Sequence, residues 1–452
     1  MAPSSNRNLY LAATVSCLTA GLFGYSVGFI GGEIVLPSFL SHFRLDHLPA
    51  IDAGRVINGM GVGAGTLVSP IYISEISPAS HRGMLMSGYQ VFVQAGALIG
   101  FWIAFIAQAV LADGSALQWQ IPVSLQLIVG ASLLIGTLMI PESPRYLAQQ
   151  GEHRAMEEAL AWLRRQAPDD PALVAEKLEV EAAASLNAQL KQHSFLKDLA
   201  KPDVRRRLHV GIGLMVAQNM VGLNALNYYS PVIFMTAGFS SVSASLLLTG
   251  IFGIVKLVSA LAFMFKFVHL KGNRFWLLLG SGVCAASMLV LAYCVHAAPA
   301  PDGTTREVSI TLVGVISVLM VYLFSFSFGV SLGPLSWNVC AEIFPLHINS
   351  TCCAITTCTQ WAFQIVIAAI TPPLLANIGY VTYLIYGGFC ILSFLWVYVF
   401  VPETRGVGVG KPMDELFGAA VPDDEESFLE VSETTALLVH DRRRRSSLAA
   451  YT

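Results

Sequence analysis

Apolar stretches of about twenty residues, nearly free of charge, recur along this chain and are separated by short polar connections and by one long charged one. A bilayer core about 30 Å thick needs roughly 20 mostly apolar residues per helical span. On that basis the pattern predicts ten spans, at residues 10–40, 56–77, 84–110, 121–140, 208–237, 240–268, 276–297, 310–343, 352–376 and 380–401. The runs are continuous instead of alternating over about ten residues, which excludes a transmembrane β-barrel. The first run is too long, and too broken by glycine and tyrosine, for a cleaved signal peptide. The expected class is therefore an all-α polytopic membrane protein.

Composition agrees: 55% of residues are hydrophobic and 12% charged, against roughly 25% charged in an ordinary soluble domain. A formal net charge of −3 points to no nucleic acid or other polyanionic partner. The placement of charge is more informative. The connection at 141–207 holds eleven of the 26 Lys and Arg residues, and the tail after 401 holds six, whereas the connection at 298–309 has Arg306 alone. The positive-inside rule then puts the long connection, the tail and both termini in the cytoplasm. Four parts follow: a helix bundle at 1–140, a cytoplasmic linker at 141–207, a six-helix bundle at 208–401, and a largely disordered tail at 402–452 whose acidic and then basic runs cannot build a core. Within the linker, MEEALAWLRRQ and AEKLEVEAAASLNAQLKQ carry apolar residues near helical spacing among charges, the pattern of short amphipathic helices. The eight cysteines have no metal-ligand spacing, and no nucleophile–base pair or phosphate loop appears. Neither an enzyme nor a metal or cofactor site is expected.

Five motifs, in order, carry a family resemblance: GRVINGMGVGAGTLVSPIYISEISPASHRG (54–83), PESPRYL (141–147), QNMVGLNALNYYSP (218–231), GPLSWNVCAEIFP (333–345) and VPETRG (401–406). Together they resemble the signature segments of the sugar porters of the major facilitator superfamily. SGYQVFVQAGALIGFW and TPPLLANIGYVTY are most similar to the fungal branch that includes hexose, disaccharide, polyol and quinate carriers. The resemblance implies two six-helix bundles with the solute bound between them near the membrane midplane, and alternating-access transport of a sugar, polyol or quinate, with H+ as a possible second substrate.

By the same resemblance Gln90, Gln218, Asn224 and Trp337 are substrate-binding positions, and Asn219 stands where the family usually has a second Gln. The chemistry is apt, since amides both donate to and accept from hydroxyls and aromatic faces cover the apolar faces of a ring. Tyr228 and Tyr229 match the outer-gate aromatics; Phe328 and Trp361 match less closely, and Gln360 and Gln364 fall near positions that often carry Asn. Glu75 and Arg82, seven residues apart, resemble part of the ion-pair network that holds the cytoplasmic gate shut. In the second half Glu342 keeps its place, but Asn349 stands for the usual Arg and Asn273–Arg274 for paired arginines, so that side of the latch has lost two positive charges. A looser inner gate and a more populated inward-open state are expected. Plain helix packing and close helix approach remain two readings of Gly54, Gly59, Gly61, Gly63 and Gly65.

Lys256 lies in the middle of the run LLLTGIFGIVKLVSALAFMF, where an ionisable group marks a functional candidate. Two readings are open: attraction of a cargo carboxylate, or an amine carried by its stem into a polar cavity. Ser26 occupies the place of the Asp found in many proton-coupled relatives, which favours facilitated diffusion over symport. Between the first span and GRVINGMG the family has two further helices and a basic loop that are absent here, so the resemblance leaves ten helices in place of twelve. A non-transporting sensor or a truncated inactive variant is therefore the alternative to a working carrier. Glu433 to Leu438 resembles an acidic dileucine signal, and the membrane expected first is the plasma membrane, with an endosomal or vacuolar membrane second.

Overall fold

The computed structural model describes residues 7–33, 36, 38, 39, 42, 49–78, 81–112, 114–190, 195–227, 234, 242–297, 312–345, 347–405, 407 and 411–418. Among these, nine helices are long and apolar enough to cross a bilayer, and no strand occurs. Helix is the form such segments must take in lipid, because every backbone N–H and C=O is then paired inside its own segment.

The first half contains α1 (Arg7–Glu33), α2 (Pro49–Ile76), α3 (Arg82–Val110) and α4 (Leu117–Met139). The linker forms α5 (Pro144–Gln150), α6 (His153–Arg164), α7 (Pro171–Leu190) and α8 (Phe195–Ala200). The second half runs through α9 (Pro202–Met220), α10 (Val242–Ala262), α11 (Asn273–Ala297), α12 (Leu312–Gly329), α13 (Leu332–Glu342), α14 (Asn349–Ile378) and α15 (Val381–Phe400), and a short α16 (Lys411–Phe417) follows.

Two expected spans are broken. The run 310–343 divides at Ser331 into α12 and α13, which together make one span. The run 208–237 is helical to Met220, turns at Gly222, whose φ of +92° favours glycine, and resumes through Asn227. Because α9 also carries Arg205 to Arg207 and His209, it is the expected span that is absent from the nine apolar ones.

Helices α1 and α3 pack backbone against backbone. A Cβ on Gly24 would stand 2.0 Å from the Val93 carbonyl oxygen, one on Gly28 2.1 Å from that of Ala97, and one on Gly96 2.2 Å from that of Gly21. Gly24 and Gly28, like Gly96 and Gly100, are four residues apart and so lie on one helix face, the small-residue arrangement that permits such an approach. The glycines of α2 behave differently. At Gly54, Gly59, Gly61 and Gly63 a Cβ would meet nothing within 4 Å, and only Gly65, against Thr19, is in close contact. Neighbouring Ile57 and Met60 are 72% and 71% exposed. The close helix approach read from the α2 glycines is thus realised on α1 and α3 instead.

The linker docks beneath the first half. The Arg164 guanidinium donates to the Ile76 carbonyl oxygen from both terminal nitrogens at 3.1 Å and pairs with Glu176 at 2.6 Å. Asn8 donates to the Trp162 carbonyl at 2.8 Å, and Tyr72 to that of Pro141 at 2.7 Å. On the other side, α16 inserts Met413 and Phe417 into the core of the second half, with the Arg207 guanidinium 5.1 Å from the Phe417 ring.

Gly96→Val should destabilise the protein by about 1–3 kcal/mol through forced separation of α1 and α3. Gly61→Ala should change stability by less than about 0.5 kcal/mol. Thermal unfolding of the two purified variants in detergent checks the contrast.

Candidate functional site

A cavity lies between the two halves, lined by residues from both. Its first-half wall comes from Phe23, Gly24 and Val27 on α1, Thr66 on α2, and Tyr89, Gln90, Val93, Gln94 and Ala97 on α3. The second-half wall has Gln218 on α9, Asn224 and Asn227 after the Gly222 turn, and Lys256 on α10. Leu223, Phe328 and Trp337, followed by Gln360, Trp361 and Gln364 on α14, complete it among the described residues. Aromatic contacts close the walls across the halves: Phe23 meets Trp361 edge-on at 5.4 Å, and the Tyr89 and Trp337 rings lie 6.5 Å apart. The Trp361 indole N–H donates to the Thr66 hydroxyl at 3.3 Å, and the Asn338 amide to Ser87 at 3.5 Å.

Several polar atoms in this cavity have no protein partner. Gln218 donates to the Gly333 carbonyl at 3.0 Å, yet its Oε1 is buried and unpaired, as are Gln94 Oε1 and the Tyr89 hydroxyl. These three residues are 7%, 7% and 5% exposed. An unmet acceptor in a membrane interior is costly, and a solute hydroxyl is a natural donor to it. Asn224, also on the cavity wall, donates from its Nδ2 to Asn219 Oδ1 at 2.8 Å and to Gln364 Oε1 at 2.6 Å.

The structure gathers Gln90, Gln218, Asn224, Trp337 and Lys256 into this one cavity, together with Phe328, Gln360, Trp361 and Gln364. Asn219 is a correction. It is completely buried behind the wall, where its amide donates to Gln360 Oε1 at 2.6 Å, to the Gln360 carbonyl at 3.1 Å and to that of Met215 at 3.1 Å. It holds Gln360 and Asn224 in place and does not itself reach the cavity. Tyr228 and Tyr229, expected at the outer gate, lie outside the described residues. Sequence reasoning missed Tyr89, Gln94 and Asn227. Gln94 was legible as the i+4 partner of Gln90 on one helix face, and Asn227 as the i+3 partner of Asn224.

Ser26 stands on α1 in a neutral setting. It donates to the Leu22 carbonyl at 2.9 Å and accepts from the Gln126 amide at 2.7 Å.

A second cavity on the linker side brings together Glu75, Arg82, Glu142, Arg145, Glu342 and Asn349. Glu75 accepts a short hydrogen bond from the Ser143 hydroxyl. Arg82 feels the charges of Glu342 and Glu179, and also that of Arg145, and its Nε is buried without a partner. No ion pair within 4.0 Å joins Glu75, Arg82 and Glu342 among the described residues. Arg274 is the second correction, since it lies away from this cavity. Its guanidinium donates to the Tyr398 carbonyl at 2.6 Å, while Glu403 accepts from the backbone N–H groups of Asn273 and Arg274 at 2.8 and 3.2 Å. It anchors the start of α11 to the end of α15, and the carboxylate of VPETRG caps the α11 N-terminus.

A two-bundle helical membrane protein with a polar, aromatic-walled cavity between its halves has the architecture of a solute carrier. Comparison with known proteins agrees. The family model described as "Sugar (and other) transporter" matches residues 44–416. A quinate permease of Neurospora africana is 33% identical over 402 residues, covering 88% of this chain and 74% of that one. A probable quinate permease of Aspergillus terreus is 33% identical over 511 residues, covering 94% and 92%. That matched span exceeds the 452 residues of this chain, so part of that relative has no counterpart here. Among solved structures, the proton:xylose symporter XylE bound to 6-bromo-6-deoxy-D-glucose superposes with a TM-score of 0.69 at 23% identity, covering 92% and 91%. The inward-open form of XylE from E. coli gives 0.61 at 24% identity, covering 92% and 91%. The fold is that of the major facilitator superfamily, and the chain belongs to the sugar transporter family. It is an integral, multi-pass membrane transporter and not an enzyme.

Asn219→Ala should lower stability by about 1–3 kcal/mol, because it strips Gln360 and Asn224 of buried partners. Gln94→Ala, which removes an acceptor that nothing satisfies, should leave the unfolding temperature nearly unchanged. Thermal melts of the solute-free variants separate the supporting amide from the cavity-facing one. On the linker side, Asn349→Arg should slow maleimide labelling of a cysteine introduced at Ala341 several-fold in inside-out vesicles by supplying a cation to Glu342. Equal labelling rates would oppose the looser gate.

Proposed function

We propose that this protein carries a sugar or a related polyhydroxyl solute, quinate and polyols included, by alternating access and facilitated diffusion. The observation that carries the reading is the set of buried, unpartnered polar atoms, Gln94 Oε1, Gln218 Oε1 and the Tyr89 hydroxyl, on residues that line one cavity from both halves. Each can accept from a solute hydroxyl, and Gln90 and Gln360 add amides that both donate and accept. Trp337 and Trp361 offer faces to the apolar side of a ring. The names of the relatives, quinate permeases and a xylose symporter, support the same class of solute.

Facilitated diffusion is supported by the Ser26–Gln126 pair, in which neither group takes up a proton at physiological pH. Solute exchange then depends on opening and closing the cavity between the halves. The cross-half contacts Phe23–Trp361 and Asn338–Ser87 break and re-form as the bundles rock.

A non-transporting variant is favoured by one observation, the exposed glycine face of α2 beside the point where the family has two more helices. Uptake of radiolabelled glucose, a polyol and quinate into reconstituted vesicles, with and without a pH gradient, tests both readings. The comparison is this chain against a version with the two helices restored from a relative. Uptake by the short form, unchanged by the gradient, is the expected outcome. Uptake by the restored form alone establishes the inactive variant, and acceleration by an inward proton gradient overturns facilitated diffusion.

A further inference from the structure

Lys256 introduces a cation into a cavity whose other polar groups are neutral. Its ammonium donates to Asn227 Oδ1 at 2.8 Å and lies 5.4 Å from the centre of the Phe252 ring. Among the described residues it has no carboxylate partner. Among the described residues, Glu75, Glu142 and Glu342 line the separate linker-side cavity instead. A membrane-embedded ammonium held only by an amide and an aromatic face is poorly compensated. Asn227 fixes its position without neutralising it.

We propose that Lys256 is the anion anchor of the central site and that the preferred cargo is a polyhydroxy monocarboxylate, not a neutral sugar. The inference rests on the transport reading above and sharpens it. A single ammonium balances a single carboxylate, whereas a phosphate dianion calls for further cations or a guanidinium fork, and neither lines this cavity. The rest of the wall is arranged for the remainder of such a molecule. Gln94 Oε1 and Gln218 Oε1 accept from ring hydroxyls, and Trp337 covers the ring. The carboxylate replaces water around the ammonium and neutralises it, so the loaded cavity carries no net charge where the empty one carries a positive charge. Asn227 and Phe252 are positioning residues: they keep the lysine stem from withdrawing along α10.

The test uses quinate and quinamide, which share a ring and differ in carboxylate against neutral amide. Competition of each against radiolabelled quinate is measured on the purified full chain. The wild type should prefer quinate at least tenfold. Lys256→Met should bring that ratio close to one, and Lys256→Arg should keep most of it. Asn227→Leu, which leaves the cation but removes its support, should lower the ratio several-fold. All variants are checked for an unchanged unfolding temperature, and a Met variant that fails to fold leaves the Arg and Asn227 variants to decide. A wild-type ratio near one, or a ratio unchanged in Lys256→Met, overturns the anchor. Direct binding of radiolabelled glucose is measured beside it. Binding of glucose or quinamide without preference for quinate overturns Lys256 alone. Failure to bind quinate, quinamide and glucose overturns the transport reading with it.

Discussion

The backbone contact between α1 and α3 is the constraint from which the rest of the site follows. With carbonyl oxygens of one helix pressed against glycines of the other, the two behave as one rigid post. That post carries Phe23, Gly24 and Val27 on one side and Tyr89, Gln90 and Gln94 on the other, which is most of the first-half wall. Membrane helices lack a hydrophobic drive to associate, since lipid is as apolar as leucine. The close approach therefore substitutes van der Waals contact for it. Gly28 and Gly100 extend the contact along the same faces, so a side chain at any one of these positions would tilt the whole wall.

The second half solves a different problem, that of holding several amides in lipid without leaving them unmet. Asn219 sits at the hub: it satisfies Gln360, which in turn faces the cavity, and accepts from Asn224, which reaches Gln364. Buried networks of this kind are favourable when every inner member is paired. Here Asn219, Asn224, Gln360 and Gln364 pair with one another, whereas Tyr89, Gln94 and Gln218, which also line the cavity, each keep an unmet polar atom. Those unmet groups beside a satisfied amide network fit a hydrogen-bonding solute.

Much of this was legible in the sequence. Continuous apolar runs located the spans, and the ordered motifs located Gln90, Gln218, Asn224 and Trp337, all of which meet in one cavity. The failures have physical causes. A motif position fixes a place along a helix but not the depth of the side chain, so Asn219, one residue from Gln218 and about 100° round the helix, turned inward to the protein. The glycine run of α2 promised close packing, yet small residues approach only where a partner exists, and Gly54, Gly59, Gly61 and Gly63 face none among the described residues. The glycines of α1 and α3, more widely spread, made the contact instead. Arg274 was assigned to the gate from its motif, while Glu403, more than a hundred residues away in sequence, draws the start of α11 towards α15.

The central site draws little on the margin of the first half, for reasons of position. Among the described residues, every one that lines the cavity belongs to α1, α2, α3 or the second half. Among the described residues α2 contributes Thr66 to the wall, and Thr66 is held from across the cavity by the Trp361 indole. Ser69, one turn further on, donates to Thr19 on α1 at 3.1 Å. Below them, Arg164 and Tyr72 fasten the end of α2 to the linker. The end of α2 nearest the site is thus tied to α1, α14 and the linker, and the glycine-rich end, from Gly54 to Gly63, is the part left without partners. The exposed α2 surface is thus confined to the margin of the first half, while the post formed by α1 and α3 and the amide network of the second half hold the geometry that a solute would meet.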